Sequence, residues 1–398
     1  MNSTPHIAVV HEWLATYAGS EKVVEQMLAT YPAADLWSIV DFLPAKDRAM
    51  LGGRDVRTSF LQRLPFARRA FRAYLPLMPL AVEQFDLDRY DVVLSSNHAV
   101  AKGVLTRADQ LHISYVHTPI RYAWDLQHQY LREAKLGWGP RGLLARAALH
   151  YLRLWDRAAA DRVDLFVANS RYVARRIEKT YRRPAEVIYP PVDIERFTLG
   201  GERDDYYLAA SRLVPYKRID LIVEAFRNMP GKKLVVIGDG PDFQKIAAKR
   251  PPNVELLGYQ DGPTLVRHLQ TARALVFAAD EDFGILPVEA QACGTPVIAY
   301  GRGGATETVL DGESGLLFAE QTPAAIVAAV ERFERWPAPF EAERIRANAE
   351  RFSIARFRAE LAELVERRWR AFQAGEAVEQ ASATLRELEH DWSPALPR

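Results

Sequence analysis

The chain has 398 residues, 48% hydrophobic and 26% charged, with 22 Gly and 24 Pro, which predicts a globular protein of two domains and excludes a disordered, collagen-like or low-complexity chain. A formal net charge of +1 gives no global basic excess for nucleic acid, and a lone cysteine, Cys293, excludes an internal disulfide framework and a Cys-rich zinc site. No apolar run approaches the ~18–20 residues that span a bilayer, and the start Met1-Asn2-Ser3-Thr4-Pro5 lacks the basic segment and apolar core of a signal peptide, so a cytoplasmic location is expected.

Short apolar runs alternate with amphipathic stretches along the chain, the pattern of parallel strands joined by helices. In the first half, strands are predicted at Ile7–Val10, Leu36–Val40, Val92–Ser95, Leu111–Val116, Leu165–Ala168 and Glu186–Ile188. Helices are predicted there at Glu21–Tyr31, Gly142–Ala160 and Ser170–Tyr181. The second half repeats the alternation, with strands at Tyr207–Ala210, Lys233–Ile237, Val254–Leu257, Ala274–Phe277, Pro296–Ala299 and Gly315–Leu317. Its helices are expected at Ile219–Arg227, Gly240–Ala248, Pro263–Ala272, Leu286–Ala292, Thr306–Leu310 and Pro323–Arg335, followed by a long charged helix from Ile354 to about Phe372.

Each half therefore reads as its own doubly wound α/β sheet. The joint is placed at Tyr189-Pro190-Pro191-Val192-Asp193, where two prolines interrupt the pattern. The expected domains are residues 1–192 and 193–372, with the polar tail 373–398 returning to the first. Ligands of open parallel sheets bind at the carboxyl ends of strands, so the expected site is a cleft between two facing sheets.

The most informative segment is Ala279-Asp280-Glu281-Asp282-Phe283-Gly284-Ile285-Leu286-Pro287-Val288-Glu289-Ala290. It follows a strand, turns at Gly284 and opens a helix with Pro287 in the first turn, where a missing N–H costs nothing. Free backbone N–H groups and the positive end of the helix dipole hold phosphate or sugar oxygens. Glu281 and Glu289 bracket that position, and carboxylates accept hydrogen bonds from sugar hydroxyls. Acids at a helix start are also common simply because the dipole favours them, so the neighbouring segments decide.

Ser211-Arg212-Leu213-Val214-Pro215-Tyr216-Lys217 follows the strand Tyr207–Ala210 and carries two cations suited to a diphosphate, a forked guanidinium and a point charge. Gly238-Asp239-Gly240 begins like a dinucleotide loop, but Phe243 stands where the third glycine belongs, and no Walker A sequence is present. In the first half, Gly19 sits in the loop between the first strand and first helix, where a glycine lets backbone approach a phosphate. His117 lies at the end of the strand Leu111–Val116, and His98 and Arg121 are acceptor-side candidates nearby in the sequence.

These motifs resemble the retaining glycosyltransferases of family 4, which have the GT-B fold of two Rossmann-like domains facing across a cleft. The resemblance rests on Arg212 with Lys217, the Gly238–Pro241 loop, the E-x7-E pair Glu281 and Glu289, Ala292-Cys293-Gly294-Thr295-Pro296-Val297 and Gly312-Glu313-Ser314-Gly315-Leu316-Leu317. The first half, through Val10-His11-Glu12-Trp13-Leu14, Ser95–Gly103 and His117–Asp125, resembles the bacterial mannosyltransferases of O-antigen and exopolysaccharide synthesis.

The resemblance implies a nucleotide-sugar donor, GDP-mannose, and a lipid-linked glycan acceptor. It implies that Arg212 and Lys217 neutralise the diphosphate, that Glu289 binds ribose, and that Glu281 with the backbone of Phe283, Gly284, Ile285 and Leu286 holds the sugar. Gly19, Gly238 and Gly240 belong to the donor loops, Gly258 and Tyr259 meet the base, and His117 stands beside the transferred sugar. Asp280-Glu281-Asp282 looks like a metal-binding D-x-D, but its place within E-x7-E argues for no metal and no cofactor. A non-catalytic sugar-nucleotide-binding homologue is expected to have lost some of Glu281, Glu289, Arg212, Lys217 and His117, all present here. An NAD-linked oxidoreductase needs the complete dinucleotide fingerprint.

The neutral total hides an asymmetry. Residues 1–200 hold 27 Lys+Arg against 21 Asp+Glu, and residues 201–398 hold 25 against 30. Arg54, Arg57, Arg63, Arg68, Arg69 and Arg72 lie among Phe60, Leu61, Leu64, Phe66, Phe71 and Leu75. Such a segment can lie on anionic headgroups, so peripheral attachment to the inner face of the cell membrane is expected.

Overall fold

The computed structural model describes residues 5–338 and 340–375. The chain divides into two compact units, one running from the N-terminus to Tyr189 and resuming at Phe357, the other spanning Pro190–Arg356.

The first unit is built on seven parallel strands: β1 (Ile7–Leu14), β2 (Asp35–Asp41), β3 (Val56–Thr58), β4 (Val92–Asn97), β5 (Leu111–Val116), β6 (Leu165–Ala168) and β7 (Glu186–Val187). Their order is β3-β2-β1-β4-β5-β6-β7, so the direction of winding reverses between β1 and β4. Both faces are covered, which is why the strands read as continuous apolar runs. Helix α1 (Gly19–Thr30) buries Val23, Val24, Met27 and Leu28 on one face of the sheet. Met78, Ala81, Val82 and Phe85 pack with Ala8, Val10 and Val93 in another cluster. Two further helices, α2 (Pro140–Ala160) and α3 (Arg171–Tyr181), follow; α3 starts where the Ser170 hydroxyl accepts from Val173 N at 3.1 Å.

The second unit has six parallel strands: β8 (Tyr207–Ala210), β9 (Leu234–Ile237), β10 (Val254–Gly258), β11 (Ala274–Phe277), β12 (Val297–Tyr300) and β13 (Gly315–Phe318). Their order is β10-β9-β8-β11-β12-β13, and winding reverses between β8 and β11. Helix α4 (Ile219–Arg227) follows β8, α5 (Ile285–Ala292) follows β11, and α6 (Pro323–Glu334) follows β13. Ile222, Phe226, Ile326 and Val330 close the core over this sheet.

The last described helix, α7 (Ile354–Gln373), corrects the expected domain boundary. Phe357, Leu361, Leu364 and Val365 are buried in the core of the first unit with Ile7, Val9 and Ile113. Glu186, the first residue of β7, holds Arg367 and Arg368 of α7 in ion pairs. Residues 357–372 thus belong with the first unit, although their charge pattern reads as the end of the second. The expected return of the tail concerns residues that, from 376 onward, lie outside the described ones.

Arg54 is a second correction. Its guanidinium donates to the carbonyls of Leu28, Pro32, Ala34 and Leu51, so it ties α1 to the connection that leads into β2 rather than facing lipid.

Candidate active site

At the winding reversal of the second sheet, the loops leaving β8 and β11 carry the predicted donor residues. After β8, a short turn at Pro215–Lys217 ends in Arg218, whose left-handed φ of 55° starts α4. The loop is pinned to the one after β9: Leu213 N donates to Asp239 O at 2.9 Å and Asp242 N to Leu213 O at 3.1 Å. Gly238 makes that approach possible, because a Cβ there would lie 1.8 Å from Ser211 O. The Gly-x-Gly sequence is therefore a clamp between adjacent loops, and a Cβ at Gly240 would lie 2.4 Å from Leu213 O.

After β11 the chain runs through Asp280–Phe283 to Gly284, whose φ of 83° caps α5. The loop after β12 supports it from beside: Gly304 N donates to Glu281 O at 2.8 Å, and Arg302 Nε lies 3.2 Å from Asp280 Oδ2. Gly303, at φ 68°, lies so close that a Cβ would stand 2.3 Å from Glu281 O. Gln321 fastens the two sides of the reversal, donating to Ala278 O at 2.7 Å while accepting from Arg218 at 2.9 Å.

Across this point Lys217 forms an ion pair with Glu281. Arg212 is exposed, and among the described residues none pairs with its guanidinium. Glu289 is buried on α5 at 8% exposure, as are Phe283 and Gly284, while Ile285 and Leu286 are half-buried. Gly258 ends β10 and Tyr259 stands 77% exposed beyond it. The second unit thus presents a free cation, a paired cation and a helix N-terminus within its own loops, an arrangement that binds phosphate oxygens. Within the D-x-D look-alike, Asp280 lies beside Arg302, and the intervening Glu281 is held by Lys217.

In the first unit Gly19 is the first residue of α1. Glu21, in the same turn, accepts from Ala18 N at 3.1 Å and from the Ser20 hydroxyl at 2.9 Å. Burial pushes its carboxyl up, but His11 and these donors outweigh that and hold it down at about 2. His117 donates its backbone N–H to Asn97 O at 2.8 Å, and its Nε2 lies 2.9 Å from Ser96 Oγ. Burial, with repulsion from His98 and His11, pushes the His117 imidazole down to about 3, so the ring is neutral at pH 7.

His98 stands 2.9 Å from Glu12 Oε2 and edge-on to Trp13. Burial opposes its charge, but the Glu12 carboxylate raises it above the ordinary imidazole value. Arg121 lies half-buried in the turn after Ile120.

Glu12 is a residue for which sequence reasoning assigned no role. It is fully buried, and its Oε1 accepts from the backbone of His98, Ala99, Val100 and Ala101 at 2.7–3.2 Å. His98 and His11 hold its carboxyl well below the usual range against the opposing effect of burial. Lys102 of the same segment is fully buried in an ion pair with Asp156, which also accepts from Trp124 Nε1 at 2.7 Å and Tyr181 at 3.0 Å. The available signal was a polar His11-Glu12 pair continuing an apolar strand. Gly303-Gly304 was likewise missed, although two adjacent glycines after a strand mark a close approach.

The profile described as Glycosyltransferase Family 4 matches residues 17–196, and that described as Glycosyl transferases group 1 matches residues 193–352. A D-inositol 3-phosphate glycosyltransferase of Mycobacterium avium is 30% identical over 219 residues, which are 49% of this chain and 52% of that protein. The match spans about half of the relative's length. Among solved structures, Anabaena HepE in complex with UDP and glucose superimposes with a TM-score of 0.62 at 16% identity, covering 90% of this chain and 99% of that one. Sucrose-phosphate synthase from Thermosynechococcus elongatus gives 0.70 at 16% identity, covering 92% of this chain and all of the other. With these two parallel sheets, one profile on each half and these neighbours in fold, the chain belongs to the GT-B glycosyltransferases of the group 1 and family 4 type.

Proposed function

We propose that the protein is a retaining hexosyltransferase that moves a sugar from a nucleoside diphosphate to an acceptor hydroxyl. The observation that carries this reading is that the loop after β8 holds an exposed, unpaired Arg212 and the Lys217 that pairs with Glu281, while the loop after β11 opens α5, both at the winding reversal of the second sheet. There the cations and backbone N–H groups meet the charge that builds on a departing diphosphate, the role a divalent metal plays elsewhere, and no metal is required on this reading. The acceptor oxygen attacks the anomeric carbon from the face the diphosphate leaves. The bond from that carbon to the phosphate oxygen breaks, and the acceptor proton passes to the released phosphate. His117, neutral at pH 7, stands beside the transferred sugar as a hydrogen-bonding group.

The donor is GDP-mannose, on the resemblance of the Val10–Leu14, Ser95–Gly103 and His117–Asp125 segments to bacterial mannosyltransferases. A UDP-sugar is the second reading, favoured by the UDP and glucose complex of HepE. Donor hydrolysis and transfer across GDP-mannose, GDP-fucose, UDP-glucose, UDP-galactose and UDP-GlcNAc decide between them. No turnover with any member of the panel ends the transferase reading.

The acceptor is a lipid-linked glycan of cell-surface polysaccharide synthesis, and the protein works at the inner face of the membrane. Phe60, Phe66, Leu77 and Leu80 are 41%, 79%, 41% and 50% exposed, and Arg63, Arg68, Arg69 and Arg72 are exposed among them. This mixture of cations and apolar side chains suits an anionic lipid surface. Among the described residues, no helix is long and apolar enough to cross a membrane.

A further inference from the structure

His11 of β1 and Ser96 of β4 are register partners across the winding reversal of the first sheet, so their side chains share a face. Both are fully buried. His11 Nδ1 lies 3.1 Å from Ser96 Oγ and 3.3 Å from Ser96 O, and His11 Nε2 lies 3.6 Å from Glu21 Oε1. Ser96 Oγ in turn stands 2.9 Å from His117 Nε2. Four side chains thus form a line from the first turn of α1 to the candidate active-site imidazole.

The direction of the hydrogen bonds follows from what each atom can do. The Ser96 carbonyl only accepts, so His11 Nδ1 carries a proton and donates to Ser96. The Ser96 hydroxyl, accepting from His11, turns its own hydrogen toward His117 Nε2. That nitrogen is then an acceptor, and the single proton of the neutral His117 ring sits on Nδ1. The Glu21 carboxylate faces the other end of the His11 ring, at Nε2.

We propose that Ser96, His11 and Glu21 are positioning residues that hold His117 as its Nδ1-protonated tautomer, so that the ring meets the substrate as a neutral N–H donor. The kinetic consequence rests on the reading of His117 as the group beside the transferred sugar. The tautomer itself does not.

The test uses the full chain labelled with 15N-histidine at pH 7 without substrate, the tautomer being read from two-bond 15N–1H correlations. Wild-type His117 is expected to be protonated on Nδ1. In Ser96→Ala it is expected to revert to the Nε2-protonated form that free neutral imidazole prefers. Nε2 protonation in the wild type, or Nδ1 protonation unchanged in Ser96→Ala, overturns the relay. If Ser96→Ala does not fold, Glu21→Gln keeps a residue able to cap α1 and removes the charge facing His11. A rise in the Nε2-protonated fraction of His117 supports the relay there, and none overturns it.

With a donor in hand, Ser96→Ala is expected to lower kcat about 10- to 100-fold while the donor KM barely moves. A tautomer change in a protein that turns over no nucleotide sugar leaves the relay standing and retires the transferase reading. Wild-type transfer in Ser96→Ala with an unchanged tautomer retires the relay alone.

Discussion

Lys217→Ala separates the catalytic from the structural use of the second unit's cations. Lys217 and Glu281 keep 19% and 18% of their side-chain exposure, so their attraction is partly screened. Removing the ammonium strands Glu281 in a half-buried loop, which costs about 1 kcal/mol, above an exposed pair and well below a fully buried one. For a domain of this size that lowers the melting temperature by about 2–4 °C. With ~5–15 kcal/mol of total stability, the variant stays almost wholly folded at 25 °C. The catalytic loss is larger, because a preorganised charge facing a departing diphosphate is worth about 10²–10³-fold, or ~3–4 kcal/mol. Steady-state kinetics with the active donor, run beside thermal melts, therefore show a large fall in kcat against a small fall in melting temperature. Lys217→Arg, which keeps the charge but changes its shape, should recover part of the rate. Wild-type kcat and kcat/KM in Lys217→Ala would refute the assignment of this cation to the leaving group.

Gly303→Ala forces a Cβ toward Glu281 O at a left-handed φ, and should raise donor KM and cut kcat about tenfold; unchanged kinetics would show that the support under Glu281 does not matter. Lys102→Met leaves Asp156 buried without its cation, an expected loss of about 3–5 kcal/mol in denaturant unfolding, and a loss under 1 kcal/mol would contradict that account. Burial, with buried Lys102 adding to it, pushes His112 down to about 4. The unfolded chain binds this proton below about 6.5, so the contribution is present above that pH and is lost as pH falls to 4. His112→Gln should flatten the stability slope there by up to about 1.4 kcal/mol per pH unit, and identical slopes would count against it. Arg68→Glu with Arg69→Glu removes two cations worth about 1 kcal/mol each at an anionic surface. Co-sedimentation with phosphatidylglycerol vesicles should weaken at least ~30-fold, and equal binding to neutral vesicles by the wild type would end the membrane assignment.

Strands such as Leu111–Val116 and Ala274–Phe277 could be read directly, because a parallel strand covered on both faces is a run of apolar residues bounded by turns. Val56–Thr58 was not legible: three residues at a sheet edge, partly exposed, carry no period. The turns between Phe60 and Leu77 were hidden by their shortness and by Pro76. An amphipathic helix announces that it has an apolar face and not which core it completes, which is why α7 was given to the wrong unit. The turn after β11 was legible because its signals are local, Gly284 capping a helix that opens between Glu281 and Glu289. The His11–Ser96 contact joins residues 85 positions apart, and only the strand order brings them together. Arg54 shows the converse, an arginine in a basic run whose bonds are all to carbonyls of its own fold.

The same topology is put to two chemical uses. Each sheet reverses its winding beside its first strand, between β1 and β4 and between β8 and β11, and loops diverging from such a point leave room for a ligand. In the second unit that position carries an exposed, unpaired Arg212 and a helix N-terminus, charges that gain from an anion. In the first unit the carboxylates are consumed internally: Glu12 by four backbone N–H groups and His98, Glu21 by the turn of α1 and His11. What is left there is an uncharged imidazole with fixed neighbours. On the proposed function, a diphosphate finds its electrostatic partners in the second unit, and a neutral His117 suits a neutral group such as a sugar hydroxyl. This division predicts that added salt weakens nucleoside diphosphate binding while leaving the His117 tautomer unchanged. A tautomer that moved with salt would mean that the ring answers to solvent-exposed charge rather than to the buried line of Ser96, His11 and Glu21.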